Sequence, residues 1–224
     1  MVKSGMHKPV LLFLICITGA FLNIASNVLF AYLMKLPLFM DTIFTIAVTL
    51  SFGLVWGVLC GVLTNLTSSL IWFQGWGGLL FAFCSIAAAC TTWLFMKLFP
   101  YELNMTKTAP KMPYDIYKKN NINKLMDKII VLILLSFALC LAMSVLGGLI
   151  AAIILSQPSS HSPGAVISMW FRETMFSGNF PVFLSEIFTR IPVNIIDRLI
   201  SVFAGYGIAF GIRAIFRFPR KNHL

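Results

Sequence analysis

Three long stretches of this chain carry no Asp, Glu, Lys or Arg, and they limit its possible folds more than any other feature. They span residues 9–34, 42–96 and 129–171. Because an α-helix crosses the hydrocarbon layer of a bilayer with about 20 apolar residues, each stretch is long enough for at least one crossing. Charged residues make up 11% of the chain, against roughly a quarter in soluble domains. The sequence therefore excludes a soluble globular protein and predicts a single all-α membrane domain over residues 1–224.

Positive charge between the apolar stretches sets the predicted topology. Lysines cluster in residues 98–128, Lys3 and Lys8 precede the first stretch, and Arg213 begins a basic C-terminal region. Because Lys and Arg are enriched in cytoplasmic loops, all three regions are predicted to be cytoplasmic. An odd number of crossings must then separate Lys35 from Lys97, and three fit the length, with turns at residues 51–53 and 74–78. Two more crossings follow residue 128.

This topology is a bundle of six transmembrane helices with both termini cytoplasmic. Residues 98–128 are predicted to form a cytoplasmic linker, and residues 156–190 an outer segment. Within that segment, residues 165–176 have the pattern of a short amphipathic helix at the outer surface. The predicted helices cover about residues 9–34, 37–52, 53–73, 77–98, 129–155 and 191–213.

The net charge of +10 follows the same division between the two sides. Under this topology the whole excess of Lys and Arg is cytoplasmic, while acidic and basic residues balance on the outer side. The basic residues flank membrane helices rather than interleave with aromatic residues on a folded surface. Anionic lipid headgroups, and not nucleic acid, are therefore the expected counter-charges.

Motifs for catalysis, metal binding or nucleotide hydrolysis are missing from the sequence. The five cysteines lie inside predicted helices without C-x-x-C spacing, and the three histidines are scattered through terminal regions and a loop. Neither a Walker-type glycine loop nor a G-x-S-x-G motif occurs. We therefore expect no enzymatic activity, no metal site and no cofactor.

Asp41 stands at the start of the second predicted helix, where an ionisable group is costly and often marks a site. Thr45 and Thr49 follow at helical spacing and would extend a polar face from it. In one interpretation these residues belong to a binding site. In the other, Asp41 interacts with the helix dipole and the threonines hydrogen-bond their own backbone.

A second polar group lies near the end of the chain. Glu186, Arg190, Asn194 and Asp197 follow at helical spacing and share one face if the segment is helical. Pro192 is expected to bend this helix near the outer surface. The group either contacts a ligand or forms a Glu186–Arg190 ion pair and a packing network around Asn194 and Asp197. Both interpretations place a polar cluster at the outer mouth of the bundle.

Further polar and aromatic residues are predicted to face the outer side. Asn65 and Trp72 lie on the third predicted helix, and Arg172 lies in the amphipathic outer segment. Trp72 is also typical of the aromatic belt at a membrane interface. The predicted substrate-binding residues are Asp41, Asn65, Trp72, Arg172, Glu186, Arg190, Asn194 and Asp197.

Small and amide side chains recur every fourth residue along the first helix, at Gly19, Asn23, Asn27 and Ala31. Such a stripe allows close approach of another helix and hydrogen bonds across the contact. The partner helix belongs either to a separate membrane subunit or to this bundle.

Three segments resemble the S components of energy-coupling factor (ECF) transporters, which are their substrate-binding membrane subunits. These are LPLFMDTIFT at residues 36–45, the glycine-containing residues 52–61, and IPVNIIDR at residues 191–198. The resemblance implies a multi-pass protein of the bacterial or archaeal cytoplasmic membrane that captures a vitamin-like micronutrient from outside. It also implies a transmembrane T component, which meets small residues of the first helix, and two ATP-binding subunits on other chains.

Two alternatives from other classes stay open at this stage. A membrane-embedded ligand sensor or regulatory subunit would use the same outer cavity to signal to a cytoplasmic partner. A structural subunit of a larger complex would use the polar cluster for packing only. The balanced outer charge favours neither an anionic nor a cationic ligand.

Overall fold

The computed structural model of the chain describes residues 7–36, 38–71, 75–103, 114–155 and 181–215. Within these ranges the fold is all-helical, as the sequence predicts, and contains no β-strand. A π-helical segment, Val28–Leu33, continues the first helix. The helices are α1 (His7–Asn27), α2 (Ile43–Phe52), α3 (Leu54–Ile71), α4 (Gly75–Leu80), α5 (Ala82–Leu98), α6 (Tyr114–Leu155) and α7 (Val182–Ile215).

Five helical segments in the described part of the chain are long and apolar enough to cross a membrane. Large apolar side chains such as Phe21, Val55 and Phe210 are exposed on their outer faces, where lipid tails would cover them. These properties indicate a multi-pass membrane protein. The segments are Pro9–Ala31, Leu54–Ile71, Gly77–Leu98, Lys124–Ile153 and Phe183–Ile215.

The ends of three helices differ from the sequence prediction. Helix α2 begins at Ile43 rather than near residue 37, because residues 38–42 are not helical. Helix α6 begins at Tyr114, so the second half of the predicted 98–128 linker is helical. Helix α7 begins at Val182 and continues through Pro192, so the predicted outer segment ends before residue 182. The added turns of α6 and α7 contain polar residues. They therefore do not stand out in the hydropathy of the sequence, which indicates the length of an apolar segment and not the length of a helix.

Helix α2 is only ten residues long and lies at the centre of the bundle. Its residues from Thr45 to Leu50 are almost completely buried, and it contacts α1, α3, α5 and α7. The predicted turn after it is confirmed at Gly53, whose φ of 96° lies in the region that favours glycine. This turn reverses the chain directly into α3.

Contacts between side chains give the relative directions of the helices. Asn27 contacts Phe39, and Asn23 contacts Thr45, so α1 is antiparallel to α2. Helix α7 runs parallel to α2, because its residue 198 contacts the start of α2 and its residue 213 contacts the end. The main core cluster lies between α2, α5, α6 and α7 and includes Ile46, Ala88, Leu135 and Val202.

Candidate functional site

The chain enters α2 through a short non-helical stretch whose backbone is bonded by side chains of other helices. The Asn27 Nδ2 atom on α1 donates to the carbonyl oxygen of Phe39 over 2.7 Å. The amide of Met40 donates to Asp197 Oδ1 on α7 over 3.0 Å. Met40 is completely buried at a φ of 47°, which is unusual for a residue with a side chain. Strained backbone of this kind often accompanies functional sites.

A cluster of three charged side chains surrounds this entry to α2. Asp41 precedes the helix, and Asp197 and Arg198 project from α7. Arg198 hydrogen-bonds both the Asp197 carboxylate and the Thr42 hydroxyl through its two terminal nitrogens. Its Nη2 atom also lies 3.5 Å from Asp41 Oδ1. The structure therefore brings together Asp41 and Asp197, which are 156 positions apart in the sequence.

The three charges are not equally engaged or equally accessible. Asp197 is fully buried and uses both carboxylate oxygens. The side chain of Arg198 is 4% exposed, whereas that of Asp41 is 36% exposed. Asp41 Oδ1 and Arg198 Nε are buried atoms without a hydrogen-bond partner in the structure. Asp41 therefore forms the accessible edge of the cluster. One acceptor atom of a carboxylate and one donor atom of the guanidinium lack a hydrogen-bond partner.

A second ion pair lies farther toward the N-terminal end of α7. Arg190 Nε is 3.8 Å from Glu186 Oε2, so the Glu186–Arg190 pair of the sequence interpretation is present. The Arg190 guanidinium also lies 5.9 Å from the centre of the Phe39 ring, within the range of a cation–π contact. Gly147 on α6 lies beside this guanidinium, since a Cβ there would be in van der Waals contact with Nη1 at 3.4 Å. Arg190 therefore connects α6 and α7 with the non-helical entry to α2.

Two other predicted site residues make contacts between helices. Asn194 Nδ2 donates to the Ser144 hydroxyl on α6 over 2.9 Å. Asn65 Nδ2 donates to the Ser85 hydroxyl on α5 over 2.6 Å and to the Gly61 carbonyl over 3.0 Å. Both side chains are more than nine-tenths buried. These contacts match the packing interpretation, in which an amide joins two membrane helices.

The polar stripe on α1 faces the interior of the chain. Asn23 Nδ2 donates to the hydroxyls of Thr45 and Thr64, and its Oδ1 atom accepts the amide of Phe44 over 2.9 Å. A Cβ on Gly19 would lie 3.0 Å from the sulfur of Cys60. These contacts correspond to the packing alternative. Contact of the stripe with a separate subunit stays a prediction, and its inward-facing residues already have partners within the chain.

Some predicted residues remain outside this cluster. Ala31 lies half-buried in the π-helical segment. Trp72 and Arg172, with the predicted amphipathic helix at 165–176, lie outside the described residues.

Sequence reasoning omitted Arg198 from the site, although it links Asp41, Thr42 and Asp197. Its position four residues after Asn194 was the available signal, because that spacing returns to the same helix face.

The other end of α2 is bound by a second arginine of α7. Arg213 donates to the carbonyl oxygens of Leu50 and Ser51, which are among the last carbonyls of α2. Because the final carbonyls of a helix have no partner within the helix, a guanidinium there satisfies them and complements the helix dipole. Both ends of α2 are therefore held by α7, and the site at its N-terminal end is fixed relative to that helix.

No protein-family model, curated protein sequence or solved structure matches this chain.

Proposed function

We propose that this chain is the substrate-capture subunit of an ECF-type, ATP-driven importer of a vitamin-like micronutrient. The observation that carries the proposal is the interrupted second apolar segment with a buried charge cluster at its N-terminal end. Non-helical backbone at membrane depth is tolerated where it is buried in protein or lines a cavity. In membrane transporters, such interrupted helices commonly form the substrate site.

The directions of the helices support the six-crossing topology of the proposal. Helices α1 and α3 are antiparallel to α2, as alternating crossings require. Helix α2 has ten residues and is about 15 Å long, which is too short for a hydrocarbon layer of about 30 Å. Residues 38–42 would add about 16 Å if they were fully extended, and the left-handed φ of 47° at Met40 makes their actual rise smaller. In the proposed topology these residues and α2 together form the second crossing, in which Asn27 and Asp197 hydrogen-bond the Phe39 carbonyl and the Met40 amide.

The charge cluster falls on the outer side of the bilayer in this topology. The cytoplasmic boundary of α7 is taken at Arg213, in agreement with the enrichment of arginine on that side. Arg198 then lies about 22 Å from this boundary along the helix, which is the outer third of the hydrocarbon layer. Glu186 and Arg190 lie farther out, near the interface. A substrate from outside would meet this ion pair before it reached Asp41.

In the proposed mechanism the substrate binds at the accessible edge of the cluster and contacts Asp41. Separate T and ATP-binding subunits convert ATP hydrolysis into reorientation of this chain and release of the substrate inside. The support for these partners is the resemblance in residues 36–45, 52–61 and 191–198.

Purification of the tagged chain from its own membranes in a mild detergent tests the proposal. Mass spectrometry of the purified complex should identify a T-like membrane protein, ATPases with Walker motifs and a bound small molecule. A signalling kinase or cyclase in their place would favour a sensor. A preparation that holds only lipid, with neither ATPases nor a small molecule, would favour a structural subunit and contradict the proposal.

A further inference from the structure

We infer that the substrate of this site presents a positively charged nitrogen group, which binds the carboxylate of Asp41. The inference rests on the proposed function and concerns the same site. The balanced charge of the whole outer side conceals the local charge of the site. At the entry to α2, Asp41 and Asp197 supply two carboxylates, while Arg198 supplies one guanidinium. The nearby Glu186–Arg190 pair adds no net charge. The site therefore has an excess negative charge.

The pattern of hydrogen bonds shows that Asp41 is the carboxylate whose negative charge is least compensated. Asp197 accepts the Met40 amide with one oxygen and the Arg198 guanidinium with the other. Arg198 directs its remaining terminal nitrogen to the Thr42 hydroxyl. Asp41 is left with a contact of 3.5 Å to Arg198, which is longer than a hydrogen bond, and its Oδ1 atom has no hydrogen-bond partner.

Asp41 is also the member of the cluster that a substrate can reach. Its side chain is 36% exposed, against 4% for Arg198 and none for Asp197, although its Oδ1 atom is itself buried. A partly exposed carboxylate in a partly dehydrated position binds a cationic donor strongly, because the donor adds a charge-assisted hydrogen bond and compensates the charge. A protonated amine, an amidinium or a charged aromatic nitrogen group that carries an N–H meets this requirement.

The same geometry disfavours an anionic substrate. An anion would need the guanidinium of Arg198 or Arg190. Both are largely buried and paired with carboxylates, and their Nε atoms, which have no hydrogen-bond partner, are also buried. The N-terminal amides of α2 would be the other anion-binding groups, but the amide of Phe44 already donates to Asn23. An anion that approached would also meet the exposed carboxylate of Asp41 first.

The test compares small molecules that co-purify with the full chain and with three variants, each reconstituted in nanodiscs. Asp41→Asn removes the charge, and Asp41→Glu keeps it. Asp127→Asn is the matched control, because Asp127 is exposed on α6 at the predicted cytoplasmic end. Bound metabolites are released by denaturation and quantified by liquid chromatography and mass spectrometry in both ion modes. Gel filtration and thermal unfolding report whether each variant is folded.

The expected result is a cationic metabolite in the unmodified chain, in Asp127→Asn and, at reduced occupancy, in Asp41→Glu. Its affinity for Asp41→Asn should fall about tenfold to a hundredfold, as expected for the loss of a charge-assisted hydrogen bond. A neutral or anionic metabolite would overturn the inference and leave the proposed function intact. A cationic metabolite bound equally by folded Asp41→Asn would also overturn it. The absence of any metabolite from the unmodified chain would instead contradict the proposed function. The charge of the metabolite decides the inference even if Asp41→Asn does not fold.

Discussion

Replacement of Gly205 by alanine tests how closely α2 packs against α7. A Cβ on Gly205 would lie 2.9 Å from the carbonyl oxygen of Ile43 and 3.0 Å from Cγ2 of Ile46. To restore ordinary van der Waals contact, α2 must move away by about half an ångström. Because Ile43 directly follows Asp41 and Thr42, the movement also displaces the contacts of both residues with Arg198.

Two other glycines of the same helix provide matched controls. A Cβ on Gly207 or on Gly211 would meet nothing within 4 Å. The gain in helix propensity from glycine to alanine is common to the three substitutions, so it cancels in a comparison. Overpacking of a close contact costs about 1–3 kcal/mol, and we expect Gly205→Ala to be less stable than either control by this amount.

Unfolding of the purified variants by sodium dodecyl sulfate in mixed micelles, followed by circular dichroism, measures this difference. Occupancy by the co-purified small molecule provides a second readout, since displacement of Asp41 should lower it in Gly205→Ala alone. Equal stability of the three variants would refute the close packing of α2 on α7. A destabilised Gly205→Ala with unchanged occupancy would show that the position of α2 does not control binding.

Three further predictions concern the support of the site and its orientation. Asn23→Ala should destabilise the chain by about 1–3 kcal/mol, because the buried Asn23 side chain loses three hydrogen bonds. Ser26→Ala should change stability little, and the same unfolding assay checks both variants. Arg213→Met should cost about 1–3 kcal/mol, because the last carbonyls of α2 lose their donor, and a stability equal to that of the unmodified chain would contradict this role. In a cysteine-free background, Lys35→Cys should react with a membrane-impermeant maleimide that is added outside, whereas Lys97→Cys should react only from the cytoplasm. The reverse pattern would invert the predicted topology and place the site on the cytoplasmic side.

The late start of α2 could not be predicted from the sequence. Residues 37–42 are mostly apolar and lie directly before a helical segment, so the pattern favours one continuous helix. In the structure the helix begins only at Ile43, and Asn27, on α1, and Asp197, on α7, hydrogen-bond the Phe39 carbonyl and the Met40 amide that precede it. Neither partner is close in sequence, and no local pattern reports them.

The local net charge of the site could not be predicted from the sequence either. Acidic and basic residues on the predicted outer side are equal in number, so the sequence favours neither sign of ligand charge. In the structure, one arginine is shared between two carboxylates and the second of them, Asp41, remains accessible. Local pairing, and not total charge, therefore determines what the site attracts.

The sequence by itself determined that the chain is helical and suited to several membrane crossings, because apolar length and the spacing of charges are local properties. It also placed Asp41, Asp197 and the Glu186–Arg190 pair among the candidate site residues, since uncompensated charges in apolar segments are rare. Only the tertiary structure decided that Arg198 joins Asp41 to Asp197, that Asn65 and Asn194 bond other helices, and that α2 begins late. These outcomes depend on contacts between residues distant in the chain, where packing selects the partner for each buried polar group.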